Sequence, residues 1–182
     1  MQNTERPTAT YNVEPYQGAA GVKFGMTRCD VAKAIGGPEG TFHRGGEERD
    51  PGGTDQYSDF FVSYDADGAC EAIEFFGGEV RCEGILLFPN PYADALEKLQ
   101  EAGVDLLCNG DGCTSLALGV GVYAPFARDI LGGEEADGDV PLVESVIAFR
   151  KGYYDDLVEA YPGILGVPVE EWLAPARRER SR

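Results

Sequence analysis

Apolar and polar positions along this chain switch several times between helical spacing and the alternation of a half-buried strand, and the switches predict an α+β fold. The first helical signal is FGMTRCDVAKAIGGP, residues 24–38. Thr27 is a good N-cap, Asp30 complements the exposed amides of a first turn, and Met26 can pack on Val31 as a hydrophobic staple. Gly36, Gly37 and Pro38 supply a left-handed terminus and a stop. The resulting helix has about nine residues, too few to persist in water without a surface beneath it. Strands must provide that surface.

Residues 39–56 carry five glycines and a run of charges and read as a loop of low local stability. The runs YSDFFVSY and CEAIEFF then flank Asp65, Ala66, Asp67 and Gly68, and a DG pair between two alternating apolar runs predicts a hairpin. Gly77 and Gly78 make another turn, and EVRCEGILLF reads as a third strand or a strand pair with a bulge near Gly84. Residues 1–20 are polar, hold two prolines and lack periodicity, so an extended or mobile arm is expected there.

The same order then returns. Asn90 is expected to cap a helix that opens on Pro91 and runs to Gly103, with Tyr92, Ala95, Leu96 and Leu99 on one face. VDLLC, a turn over residues 109–112, the strand TSLALGVGVYA, an acidic insertion over 124–141 and the strand VESVIAF follow. We read two divergent helix-then-antiparallel-meander modules, residues 21–88 and 89–152, sharing one sheet or core with the helices on one face. Residues 153–182 form a C-terminal helical segment, with a stop at Pro162 and Gly163, a second turn carrying Trp172 and a basic tail of Arg177, Arg178, Arg180 and Arg182.

Composition narrows the function classes. The 182 residues are 43% hydrophobic and 10% aromatic, enough to bury a core without a metal. Fifteen Lys and Arg against 32 Asp and Glu give a net charge of −17, a field that repels nucleic acid and anionic lipid and favours encounter with a basic partner. No apolar h-region opens the sequence and no run approaches a membrane span, so a cytoplasmic protein is expected, without a membrane or nucleic-acid partner. Five dispersed cysteines fit small core residues better than a disulfide framework.

Catalytic equipment is sparse. His43, the one histidine, lies in a glycine-rich loop, and there is no nucleophile elbow, Walker loop or dinucleotide-binding fingerprint. No catalytic residue, cofactor or metal site is therefore assigned. Cys108 and Cys113 are spaced to bridge their turn under oxidising conditions, or to join Cys70 and Cys82 around zinc, although the spacing is loose for a zinc site. Residues 63–74 match a calcium loop in part, yet the flanking runs are strand-like and a hairpin accounts for the same Asp and Gly residues. With so many carboxylates, paired acids carry no signal for glycoside chemistry.

Surface recognition remains. The acidic clusters Glu47, Glu48 and Asp50, and Glu134, Glu135, Asp137 and Asp139, together with Asp65 beside the tyrosines Tyr64, Tyr123, Tyr153 and Tyr154, form the candidate contact set for a basic protein partner. The alternatives are a small-ligand or enzymatic module with a pocket between sheets or under the loop 39–56, near Arg81, Arg150 and Tyr123, and a housekeeping module whose acidity serves solubility.

FGMTRCDVAKAIGGP resembles the G-M-T-x-x-x-V-x-x-x-x-G-x-P signature of BamE/SmpA-like modules, in which a capped helix precedes a β-meander. Two such modules in tandem are similar to the β-lactamase inhibitor proteins. That resemblance implies duplicated helix-plus-sheet units and binding of an enzyme through the sheet face. In acidity and sparse catalytic equipment the chain also looks similar to immunity proteins, which neutralise toxins.

Overall fold

The computed structural model describes residues 8–125 and 140–173. Fourteen strands and three helices are assigned within them, and their central feature is one nine-stranded sheet. In chain order the elements begin with β1 (Thr10–Val13), β2 (Gly18–Ala19), β3 (Val22–Lys23) and α1 (Arg28–Ile35). The strands β4 (Gly40–Phe42), β5 (Thr54–Gln56), β6 (Phe60–Tyr64), β7 (Cys70–Phe75), β8 (Glu79–Cys82) and β9 (Ile85–Phe88) follow. Then come α2 (Tyr92–Glu101), β10 (Leu107–Asn109), β11 (Gly112–Ser115), β12 (Val120–Tyr123), β13 (Ser145–Phe149), α3 (Asp155–Ala160) and β14 (Val167–Pro168).

The large sheet runs β14-β10-β11-β12-β13-β7-β6-β5-β4. Every pairing in it is antiparallel. Thus α1 precedes the strands β4 to β7, α2 precedes β10 to β13, and the last strands of the two series pair at the centre, with Ile147 opposite Glu74. A second sheet, β1-β8-β9, combines a parallel and an antiparallel pairing.

Strand alternation separates the two faces of the large sheet. Phe60, Val62, Tyr64, Ile73, Phe75, Val120, Val122, Val146 and Ala148 point into the core, where they meet Val31 of α1 and Tyr92, Ala95, Leu96 and Leu99 of α2. The β1-β8-β9 sheet adds Val80, Cys82 and Leu87 to the same cluster. Phe61, Glu74, Thr114, Tyr123 and Ile147 lie at the alternate positions and remain partly or fully exposed. Both long helices therefore pack on one face and leave the other open.

The local signals of α1 hold in detail. Thr27 caps it, its Oγ1 accepting from Asp30 N at 3.2 Å, and Gly36 ends it at φ 93°. In the predicted hairpin, Asp65 Oδ1 accepts from the amides of Asp67 and Ala69, which shapes the turn between β6 and β7. A register shift at the end of the pair leaves Glu71 as an extra residue opposite the Ser63/Tyr64 step.

Several expectations are corrected. Residues 10–13, expected in an arm, form β1 and pair in parallel with β8, so they are part of the fold. The glycine-rich loop 39–56 begins and ends as paired strands, β4 with β5, and only its middle is turn. Asn90 does not cap α2: its Nδ2 donates to the Leu86 carbonyl, and Pro91 occupies the cap position without a side-chain bond. The run TSLALGVGVYA is two strands, β11 and β12, joined by a tight turn at Leu116–Gly119 in which Gly119 takes φ 66°. EVRCEGILLF is the strand pair β8–β9, and it sits in the second sheet rather than continuing the meander. The start of the expected N-terminal arm and the basic tail with its four arginines lie outside the described residues.

Candidate functional site

The open sheet face is floored by β11, β12, β13 and β7 and crossed by the chain that leaves β13. After Phe149 the backbone turns at once, Tyr153 N donating to the Arg150 carbonyl. The turn lays Tyr153 and Tyr154 back over the sheet. Phe149, on the open face, stacks with Tyr153 at 5.6 Å and 25° and meets Tyr154 edge-on at 4.9 Å and 76°. The two tyrosines stand at 74° to each other, 4.8 Å apart. The two tyrosine rings bury Phe149, which joins Thr54, Ala72 and Ser145 as a buried residue on the face opposite the helices.

From there α3, which buries none of its residues, leads to a turn fastened at the far side of the sheet. Asn109 Nδ2 donates to the Ile164 carbonyl at 3.1 Å, and β14 pairs with β10. Gly166, at φ 99°, packs so closely on the Cys108 carbonyl that a side chain there would collide with it. Between this strap and the sheet lies a groove of about 450 Å³. Tyr153, Tyr154, Ile164 and Leu165 wall it on the strap side, and Thr114, Gly121, Tyr123, Ser145 and Ile147 on the sheet side.

Its polar end holds one ordered ion pair. Arg44, from the turn between β4 and β5, approaches Glu74 Oε2 at 2.6 Å and lies 5.1 Å from the centre of the Phe61 ring. Ser145 Oγ donates to the other Glu74 oxygen at 2.9 Å. Burial raises the phenol of Tyr153, with the nearby Tyr154, Glu71 and Glu74 adding to the effect and Arg44 opposing it. Tyr154 is raised by burial and then by Glu74. Both rings therefore present neutral phenols at physiological pH. Asp111 stands exposed on the rim, its amide bonded to Asn109 Oδ1 at 2.9 Å.

Of the twelve residues singled out in the sequence, the structure brings Tyr123, Tyr153 and Tyr154 together around this groove. Tyr64 is corrected: it is buried in the core, where its hydroxyl donates to Asp55 Oδ2 at 3.1 Å and Arg28 lies over its ring. A buried tyrosine on the helix side is not a contact residue. Asp50 serves its own loop, accepting from Arg44 N and Thr54 Oγ1, and Asp65 shapes its own turn through Asp67 N and Ala69 N and also approaches Arg150 at 3.3 Å. Glu47 and Glu48 are exposed on the turn before β5, and Glu134, Glu135, Asp137 and Asp139 lie outside the described residues.

Arg81 pairs with Glu79, and Arg150 with Asp65 and Glu71, so neither reaches the groove that Tyr123 lines. Sequence reasoning missed Arg44, Glu74, Asp111 and Ser145. The signal for Glu74 was present: in CEAIEF it takes the outward position between Ile73 and Phe75. Nothing local marks Arg44, whose partner is 30 residues away across three strands.

Cys108 and Cys113 face each other across β10 and β11 and are joined as a disulfide, with the Tyr92 hydroxyl 2.8 Å from Cys113 Sγ. Cys70 and Cys82 are separate buried thiols, and Cys29 is an exposed one. Among the described residues no group of three or more His, Cys, Asp or Glu side chains is placed to hold a metal ion. His43 is exposed, its Nδ1 donating to the Asp50 carbonyl at 2.6 Å, which makes it part of a turn. Among the described residues no helix is long and apolar enough to cross a membrane. No protein-family model, curated protein or solved structure matches the chain.

Proposed function

We propose that this is a binding protein that engages a basic protein partner through the open face of its large sheet, acting by occlusion in the manner of an immunity protein or inhibitor. The observation that carries the reading is the groove on that face, where Tyr123, Tyr153 and Tyr154 surround a floor containing Glu74 and carry Asp111 on the rim. Tyrosines supply large contact area at low entropic cost, and carboxylates beside them select cationic surfaces. A net charge of −17 adds long-range steering toward such a partner.

The two-module reading supports the same conclusion. The sequence α1, β4 to β7 is matched by α2, β10 to β13, and the two series meet at β7 and β13. A duplicated unit of this kind builds a sheet wide enough to cover a partner's site, with both long helices on the back.

A second reading, binding of a small ligand, is favoured by the groove's volume of about 450 Å³, which falls in the range of small-molecule sites. Chemical cross-linking of the purified protein in host extract at low salt, with the captured species identified and then purified, separates the two. The first reading predicts a stoichiometric basic protein whose association slows as salt rises. A small molecule retained through purification, with no protein captured, would favour the second.

A further inference from the structure

We propose that the groove on the open sheet face is a socket for one arginine side chain of the partner, a proposal that rests on reading that face as the binding surface. The aromatic walls are held in place: Tyr153 and Tyr154 stand at 74°, and Phe149 supports both. Tyr123, 43% exposed, faces the groove from β12. A planar guanidinium stacks on such faces while keeping its in-plane donors for carboxylates and carbonyls.

Charge selects the same guest. Arg44 is neutralised by Glu74, whose two oxygens are occupied by Arg44 and Ser145. Asp111 has no ion-pair partner among the described residues, so the uncompensated charge among the groove's described residues is negative. An anionic guest would meet that carboxylate within a chain of net charge −17, with the nearby guanidinium already paired. The chain's own Arg44 displays the compatible geometry next door, set over Phe61 and against Glu74. The socket proposed here repeats that pairing of ring and carboxylate with Tyr123, Tyr153, Tyr154 and Asp111.

The test uses N-acetyl-arginine amide and its citrulline counterpart, which has nearly the same shape without the charge, titrated into the full chain and followed by NMR. The arginine probe should bind saturably, with Kd on the order of 1 mM, at least several-fold tighter than the citrulline probe. Asp111→Asn and Tyr123→Ala, both at exposed positions, should each weaken the arginine probe by about two- to fivefold, the scale of an exposed ion pair or cation–π contact. Glu159→Gln, on α3 outside the groove lining, should leave it unchanged. Equal binding of the two probes, no saturable binding, or indifference to Asp111→Asn and Tyr123→Ala would overturn the socket. A captured protein partner together with a silent probe would sink this inference alone. A binding probe with no protein partner would overturn the reading of the face as a partner's surface, and with it the assignment of the socket to a partner's arginine.

Discussion

Arg28 Nε lies 3.0 Å from Oδ2 of Asp55, a carboxylate with no solvent exposure, and the pair ties α1 to β5. Thr41 Oγ1 donates to the other oxygen at 2.7 Å and the Tyr64 hydroxyl to the first at 3.1 Å, so a buried charge at the sheet's far end is met on both sides. A buried carboxylate in this setting is tolerated because donors and a cation surround it. Asp55→Ala removes the acceptor and strands the Tyr64 hydroxyl in the core. The expected loss is about 2–4 kcal/mol in urea unfolding, and Asp55→Asn, which keeps one acceptor oxygen, should lose less.

Alkaline titration gives a second prediction. Burial raises the phenols of Tyr11, Tyr57, Tyr64, Tyr92, Tyr153 and Tyr154, six of the nine tyrosines. For Tyr11 the rise is to about 12, with the hydrogen bond to Asp59 adding to burial. The unfolded chain loses these protons near pH 10 while the folded chain keeps them. Stability from these groups is thus fully present below about pH 10 and is lost as pH rises toward 12 and beyond. Phenolate absorbance should rise in two phases, the later one coinciding with loss of near-UV circular dichroism. A single early phase accounting for all nine tyrosines would contradict the burial assigned here.

The Cys108–Cys113 bridge closes a short loop on the hairpin that anchors the strap. Chain-entropy arguments give a bridge of this span about 2 kcal/mol. Reductant should lower the melting temperature, and a Cys108→Ser, Cys113→Ser double variant should melt at the lower temperature whether or not reductant is present. An unchanged melting temperature on reduction would show that the bridge contributes nothing to the fold.

Local grammar in the sequence was informative where cause and effect lie within a few residues. Thr27, Asp30 and Gly36 specify α1, and the DG pair specifies the β6–β7 turn. The misreadings have distant partners. Residues 10–13 carry too short and polar an alternation to signal a strand, and β1 exists because β8, some 70 residues away, offers a parallel edge. Asn90 has the right chemistry for a cap but turns back to the Leu86 carbonyl. Tyr64, adjacent to Asp65, looked like a rim tyrosine, yet its strand parity places it with Phe60 and Val62 in the core. The groove itself depends on residues 150–168 crossing back over the sheet, a tertiary event with no local signature beyond the paired tyrosines.

The most direct test of binding through the open face measures the association and dissociation rates of the captured partner, and from them its affinity, with three proteins at low and physiological salt. These are the wild type, Tyr123→Lys in the groove, and Lys98→Gln on α2 behind the sheet. A partner that loses at least tenfold in affinity to Tyr123→Lys, ignores Lys98→Gln and associates more slowly as salt rises is the predicted result. Undiminished binding to Tyr123→Lys would contradict the account.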